Sequence, residues 1–421
     1  MNTTTHSAAI ARPPHGGPGA APRLPLAARG VIALLRSLQR GRLELQLPDG
    51  ALLHLGDANA AQAPIALQVH DWKVFTAVLR RGGLGFAEAY FEGRWSCADL
   101  PGLLRLMLAN RQALDRVLHG SLVGTVLDRL HHLLRRNTRA GSRDNIHVHY
   151  DIGNDFYGLW LDRSMTYSSA LYLRPDMSLE QAQQAKLERV LGELQCRPGQ
   201  RVLEIGCGWG SFAELAARRG LVVDAITLSR EQLDYAAQRM HCAGLAGHAR
   251  LHGIDYRDAA SIAPAGGFDA VASIEMFEAV GEAYWGVWFR GLAQLLRPGG
   301  HACIQTIVID DAAFERYRRG TDFIQRYIFP GGMLPSHRRF AEEARAAGLR
   351  LVREHRFGAD YARTLASWRQ GFLAALSQVR AQGFERRFER LWEFSLANCE
   401  AGFAEAYIDV VQYTLVRPVR S

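Results

Sequence analysis

From about residue 147 onward, short apolar runs recur at helix-length intervals: RVLEI (201 to 205), VVDAITLS (222 to 229), ARLHGID (249 to 255), FDAVASIE (268 to 275) and HACIQTIVI (301 to 309). Runs this apolar suit strands buried on both faces, and the amphipathic stretches between them suit covering helices. The pattern predicts an α/β fold, a mostly parallel sheet with helices on both faces. LRLVREHRF (349 to 357) and VVQYTLVRP (410 to 418) add a sixth strand and a final one, for a seven-stranded sheet. RPGG at 297 to 300 predicts a turn before the fifth strand, and Ser211 to Ala217 a helix after the first.

The first third of the chain reads differently. Residues 30 to 46 predict a helix running into a short strand, and LPDG at 47 to 50 a turn between LELQL and ALLHL. From 70 to 110 helical spacing is broken at Gly82, Gly83, Gly85 and Gly93, which predicts several short helices rather than one rod. Residues 111 to 137 are amphipathic with Arg and His along one face, a connecting helix or one lying on a membrane. RAGSRDN at 139 to 145 has linker composition. The resulting division is a disordered leader over 1–29, a small, mainly helical N-terminal domain over 30–140, and a larger domain over 141–421. The larger domain carries an insertion at 311–345 rich in aromatic and Arg residues.

Composition adds limits. No apolar run reaches the roughly 18 to 20 residues a bilayer span needs, and the Pro/Gly/Ala-rich leader lacks a secretory layout, so a cytoplasmic location is expected. The six cysteines are scattered, with no C-x-x-C pair and no His/Cys cluster at metal spacing, so neither a disulfide framework nor a metal site is indicated. Residues 1 to 150 hold 18 Lys+Arg and 10 Asp+Glu, which accounts for the whole net charge of +8. Such a basic part could meet nucleic acid or an anionic membrane, or be a solvated surface only.

The stretch RVLEIGCGWGSFAELAA (201 to 217) places Gly206, Gly208 and Gly210 between a strand and a helix, where a ligand could approach the backbone. Glu204, an acid in an apolar strand, is costly to bury without a cationic or hydrogen-bonding partner. Together they predict a nucleoside-type cofactor. Ligands of open α/β sheets lie outside the carboxyl ends of the strands, so the loops after Ile205, Leu228, Ile254, Ile274 and Ile307 should line one crevice. There Thr227, Leu228 and Gln232 could meet a ribose and Asp255 an adenine amino group, although Ser229 and Asp255 are equally placed as helix N-caps. The aromatic segment 147 to 172 brings Tyr167 and Ser168 toward the cofactor. Glu275 and Glu278 lie three apart after the fourth strand, and one of them inside the crevice would be a base or orient an anion.

The motifs EIGCGWGSFA, YDIGNDFYGLWLDRSMTYSSALY, TLSREQ, SIEMFEAVG, RYIFPGGMLPS and YARTLASW together resemble the cyclopropane-fatty-acyl-phospholipid synthase and mycolic acid cyclopropane synthase family, over residues 40 to 421. The resemblance implies a class I methyltransferase (Rossmann-like) fold and S-adenosylmethionine as methyl donor. Its contacts would be Tyr167, Ser168, Glu204, Gly206, Gly208, Gly210, Thr227, Leu228, Gln232, Asp255 and Ile274. The implied reaction is attack of an acyl double bond on the sulfonium methyl, leaving a carbocation that closes to a cyclopropane when a bound bicarbonate takes a proton. The bicarbonate holders carried over are Ser169, Glu278, Gln305, Ile307 and Tyr361.

Two positions depart from the family. Ser169 stands where Cys is commonest, and Gln305 where His is usual; Gln cannot carry a charge or relay a proton. A weaker bicarbonate site would leave a methylene- or methyl-branched product open, with a partner reductase. The expected substrate is an unsaturated phospholipid at the inner face of the membrane, with peripheral attachment and a homodimer as expectations for the basic N-terminal domain. Two further classes are a membrane-binding protein without turnover and a nucleic-acid methyltransferase. No catalytic motif supports the latter, and no nucleic acid is expected.

Overall fold

The computed structural model describes residues 24–118 and 152–419. Most of the predicted leader and of the amphipathic segment 111 to 137, the whole 139 to 145 linker and the start of the aromatic segment lie outside the described residues.

The N-terminal unit contains α1 (Leu26–Leu35), β1 (Arg42–Gln46), β2 (Leu52–Gly56), β3 (Ile65–Val69), α2 (Lys73–Phe91), β4 (Trp95–Cys97), α3 (Leu100–Ala109) and α4 (Arg111–Leu118). Helix α1 starts inside the stretch expected to be leader, because Ala28, Val31, Ile32 and Leu35 form an apolar stripe that packs into the core. The LPDG turn closes the β1–β2 hairpin, with Leu47 N donating to Ala51 O at 2.8 Å. Strands β3 and β4 complete a sheet of order β2-β1-β3-β4 beside the expected helices. Of the glycine breaks, Gly82 is a kink inside α2, at φ 56° and ψ −133°.

The larger unit runs α5 (Asn154–Gly158), α6 (Leu179–Leu194), β5 (Arg201–Ile205), α7 (Ser211–Arg218), β6 (Val222–Ile226), α8 (Arg230–Cys242), β7 (Ala249–His252), β8 (Phe268–Ile274), α9 (Trp285–Leu295) and β9 (Leu296–Ile309). It continues through α10 (Asp311–Tyr317), α11 (Phe323–Tyr327), α12 (His337–Ala346), β10 (Arg350–Arg356), α13 (Gly358–Ala374), α14 (Leu376–Ala381), α15 (Arg386–Ala404) and β11 (Ile408–Val416). The sheet order is β10-β11-β9-β8-β5-β6-β7; β5 to β9 are parallel, and β11 runs antiparallel to both its neighbours. RPGG is not the turn before β9 but lies within it. Gly299 N donates to Arg417 O and Arg417 N to Gly300 O, so the end of β11 extends the ladder across these residues.

Alternation along β5 decides where its acid points. Leu203 and Ile205 face the layer of α9, whereas Val202 packs with Leu187 of α6 and Phe212 of α7. Glu204 shares Val202's side, since strand side chains alternate, and so faces α6. That helix is started by a capping box in which Ser178 Oγ accepts from Gln181 N and Gln181 Oε1 accepts from Ser178 N. The N-terminal unit packs on α15 and α11: Tyr90 OH donates to Glu393 at 2.7 Å, Arg390 donates to Tyr90 O at 2.8 Å, and Phe91, Phe323 and Phe394 form a ring cluster. Among the described residues no helix is long and apolar enough to cross a membrane.

Candidate active site

Between β5 and α7, Gly206, Gly208 and Gly210 all have left-handed backbones, with φ of 85°, 51° and 85°. At Gly206 a Cβ would also stand 2.8 Å from the Met276 side chain, and at Gly210 3.0 Å from Ala236 Cβ. Gly206 and Gly210 need glycine on both counts, and Gly208 for its backbone alone. Gly206 and Gly208 line a cavity of about 960 Å³, as do Tyr167, Ser168, Glu204, Thr227, Leu228, Gln232 and Ile274. Gly210 and Asp255 are not among its lining residues. Asp255 caps the following 3-10 turn and is clasped by the Arg257 guanidinium, Nε at 2.7 Å and a terminal nitrogen at 2.6 Å. Ser229 likewise caps α8. Thr227 Oγ1 donates to Gln232 Oε1 at 3.0 Å, which leaves a polar uncharged shelf after β6.

Glu204 is buried, and its Oε2 has no hydrogen-bond partner. Burial pushes its carboxyl well above the ordinary range, against the pull of Lys186 and of the Ala213 N–H. Lys186 was not singled out from sequence. It occupies a core position of α6 at 0% exposure, donates to Ser168 Oγ at 2.5 Å, and is lowered to about 8 by burial, opposed by the charges of Glu275, Asp162 and Glu204. The available signal was the near absence of lysine: only two of the 50 basic residues are lysines, Lys73 and Lys186. A compact ammonium whose pKa can shift suits a buried counter-charge better than a guanidinium.

Across the crevice stands the second acidic centre. Glu275, just past β8, accepts from Ser169 N at 2.8 Å and Gln305 Nε2 at 2.7 Å on one oxygen, and from Tyr361 OH at 2.6 Å on the other. Gln305 is oriented by Gln412, its register partner on β11, which donates to Gln305 Oε1 at 3.0 Å. Glu278 accepts from Ile307 N at 2.5 Å, while its Oε2 has no partner. Both residues are half-buried, and both line the cavity. Burial raises Glu275, countered by Tyr361, Lys186, Ser169 and Gln305; burial and then the charge of Glu275 push Glu278 up to about 8. At neutral pH the two therefore share their charge unequally, Glu278 keeping its proton. All five residues carried over as anion holders thus meet at one place, but around protein carboxylates.

The arrangement fits S-adenosylmethionine. The orphan oxygen of Glu204 would receive an ammonium, the glycine turns admit a ligand along the backbone, and the Thr227–Gln232 shelf offers polar groups to a ribose. It does not fit bicarbonate. Ser169 N, Gln305 Nε2 and Tyr361 OH already serve Glu275, and Ile307 N serves Glu278.

Beyond the carboxylates the same cavity continues between Phe323, Ile328 and Phe329 and the N-terminal unit's Leu35, Leu67, Phe75 and Val78. Its volume stands near the top of the roughly 300–1,000 Å³ usual for ligand pockets.

Strand order, glycine turn and buried acid define a class I, S-adenosylmethionine-dependent methyltransferase. The family described as Mycolic acid cyclopropane synthetase matches residues 137–413, and the chain belongs to it. It is 36% identical over 408 residues to the tuberculostearic acid methyltransferase UfaA1 of Mycobacterium tuberculosis, covering 94% of this chain and 93% of that protein. With the cyclopropane-fatty-acyl-phospholipid synthase of Escherichia coli K12 it shares 34% over 380 residues, covering 89% and 94%. The crystal structure of the mycolic acid cyclopropane synthase CmaA1 complexed with SAH and CTAB superposes with a TM-score of 0.60 at 31% identity, over 65% of this chain and 98% of that one.

Proposed function

We propose that this enzyme transfers a methylene unit from S-adenosylmethionine to the cis double bond of an unsaturated acyl chain in a membrane phospholipid, forming a cyclopropane. The observation that carries the reading is the continuity of one cavity from the glycine turns, past Glu275 and Glu278, into apolar walls built by both units. The bound donor supplies an electrophilic methyl group. Glu204, with Lys186 behind it, binds and orients the donor's ammonium end. Leu35, Leu67, Phe75, Val78, Phe323 and Ile328 hold the acyl chain and exclude water, which a carbocation on that chain requires, since water would trap it. Tyr361, Ser169 and Gln305 fix an anionic oxygen beside the reacting carbons.

The apolar walls of the N-terminal unit give it a part in acyl binding beyond docking. Its basic character supports peripheral attachment to anionic lipid on the cytoplasmic face, and a homodimer is compatible with this arrangement. A second reading ends the same transfer in a methyl branch completed by a partner reductase. It is favoured by the relative named tuberculostearic acid methyltransferase and by Gln305 in the place of the usual His.

The test is conversion of the methyl donor to SAH by the purified protein with vesicles of dioleoyl or fully saturated phospholipid. Turnover confined to the unsaturated vesicles is expected; equal turnover with both contradicts the reading.

A further inference from the structure

An ionised carboxylate offers about four lone-pair positions. At Glu275 three of them are taken, by Ser169 N and Gln305 Nε2 on one oxygen and Tyr361 OH on the other. One position remains, on the oxygen that Tyr361 holds, in a side chain that lines the cavity. The backbone supports the placement at a cost. Glu275 has φ 49°, a left-handed conformation that non-glycine residues seldom adopt, and its N–H is held by Gln305 O at 2.8 Å. Its charge is compensated from behind by Lys186. Ser169 N, Gln305 Nε2 and Tyr361 OH are committed to Glu275, and Ile307 N to Glu278.

We infer that Glu275 is itself the proton acceptor of this enzyme, a tethered carboxylate in the position where the family binds bicarbonate, so that turnover is independent of bicarbonate. The inference rests on the methyl-transfer reading above. In the step assigned to Glu275, one C–H bond of the transferred methyl group breaks and its electron pair closes the second C–C bond of the ring, quenching the adjacent carbocation. The proton goes to the free position on Glu275, leaving a neutral acid, and returns to water when the products depart. Tethering removes the need to bind a second anion and fixes its distance and direction. Gln305 then needs no charge and no proton relay. An amide that donates one hydrogen bond while Gln412 holds its oxygen is sufficient, which accounts for a neutral residue at that position.

The experiment compares the full-length wild type with Glu275→Gln and Glu275→Gly in carbon-dioxide-free buffer, with and without added bicarbonate or formate. SAH formation on dioleoylphosphatidylglycerol vesicles is the readout, with donor affinity measured separately by calorimetry. Wild-type turnover should be the same with and without bicarbonate. Both variants should bind the donor but lose about 100-fold or more in turnover, the usual scale for a general base. Bicarbonate or formate should restore the Gly variant, whose backbone suits the left-handed position and whose vacated donors can take a small anion. The Gln variant should not be restored, because its amide fills the place.

A wild type that loses most of its activity without bicarbonate and regains it on addition overturns the inference. So does a Gln variant within about threefold of wild type, a difference smaller than one ordinary hydrogen bond. Absence of wild-type turnover on unsaturated vesicles in every buffer would instead defeat the methyl-transfer reading. Should the Gly variant fail to fold, the wild-type and Gln arms still decide.

Discussion

Glu204 and Glu275 sit at the carboxyl ends of neighbouring strands, β5 and β8, and Lys186 is electrostatically coupled to both. One has an oxygen without a partner; the other is held by three donors. A buried polar atom left unpaired is costly unless a ligand completes it, whereas a carboxylate held by three protein donors is an organised part of the protein. The difference separates a binding acid, finished by its cofactor, from a working acid, finished by the fold.

Exchanging the working acid should have the largest effect. Glu275→Gln is expected to lower kcat by about two to four orders of magnitude while the donor Kd stays within a few-fold; steady-state turnover beside calorimetry separates the two. The binding acid should behave in the opposite way. Glu204→Gln removes a charge-assisted hydrogen bond worth about 1.5–3 kcal/mol, so the donor should bind at least tenfold more weakly while kcat at saturation changes little.

Lys186 ties the two centres together, and its effect should appear in the pH profile. Glu275 must be ionised to accept a proton, and burial raises its pKa, so activity should fall as pH drops through a midpoint above the ordinary carboxylate value of 4.5. Lys186→Met removes a charge that lowers that pKa, so the acid limb should move to higher pH. An unmoved limb would show that Lys186 does not charge-compensate Glu275. The smallest effect is expected from Gln412→Leu. It frees Gln305 without touching Glu275, and a single neutral hydrogen bond is worth about 1 kcal/mol, or several-fold in kcat.

The sequence pattern foretold the two regions unequally. The glycine turn, Glu204 and the strand set are local features, spelled within a dozen residues each, and they recur in the structure with shifted ends. Strand β4 is too short for periodicity to register. Lys186 reads as one more polar residue of an amphipathic helix until the fold turns it inward, although the scarcity of lysine marked it. Glu275 and Glu278 were visible as a pair, but which one receives the donors depends on a left-handed backbone at 275 and on the pairing of β9 with β11 that sets Gln412 against Gln305. Neither is encoded by local spacing. The five carried-over anion holders do converge, and the unforeseen element is the protein carboxylate among them.

The most direct measurement is turnover of dioleoyl phospholipid in carbon-dioxide-free buffer with a methyl donor bearing a trideuterated methyl group, followed by mass spectrometry and proton NMR of the product. A cyclopropane that retains two of the three deuteriums, formed at an undiminished rate, is the predicted result, because Glu275 takes its proton from the transferred methyl. A product that retains all three, or a rate that collapses without bicarbonate, would contradict the account.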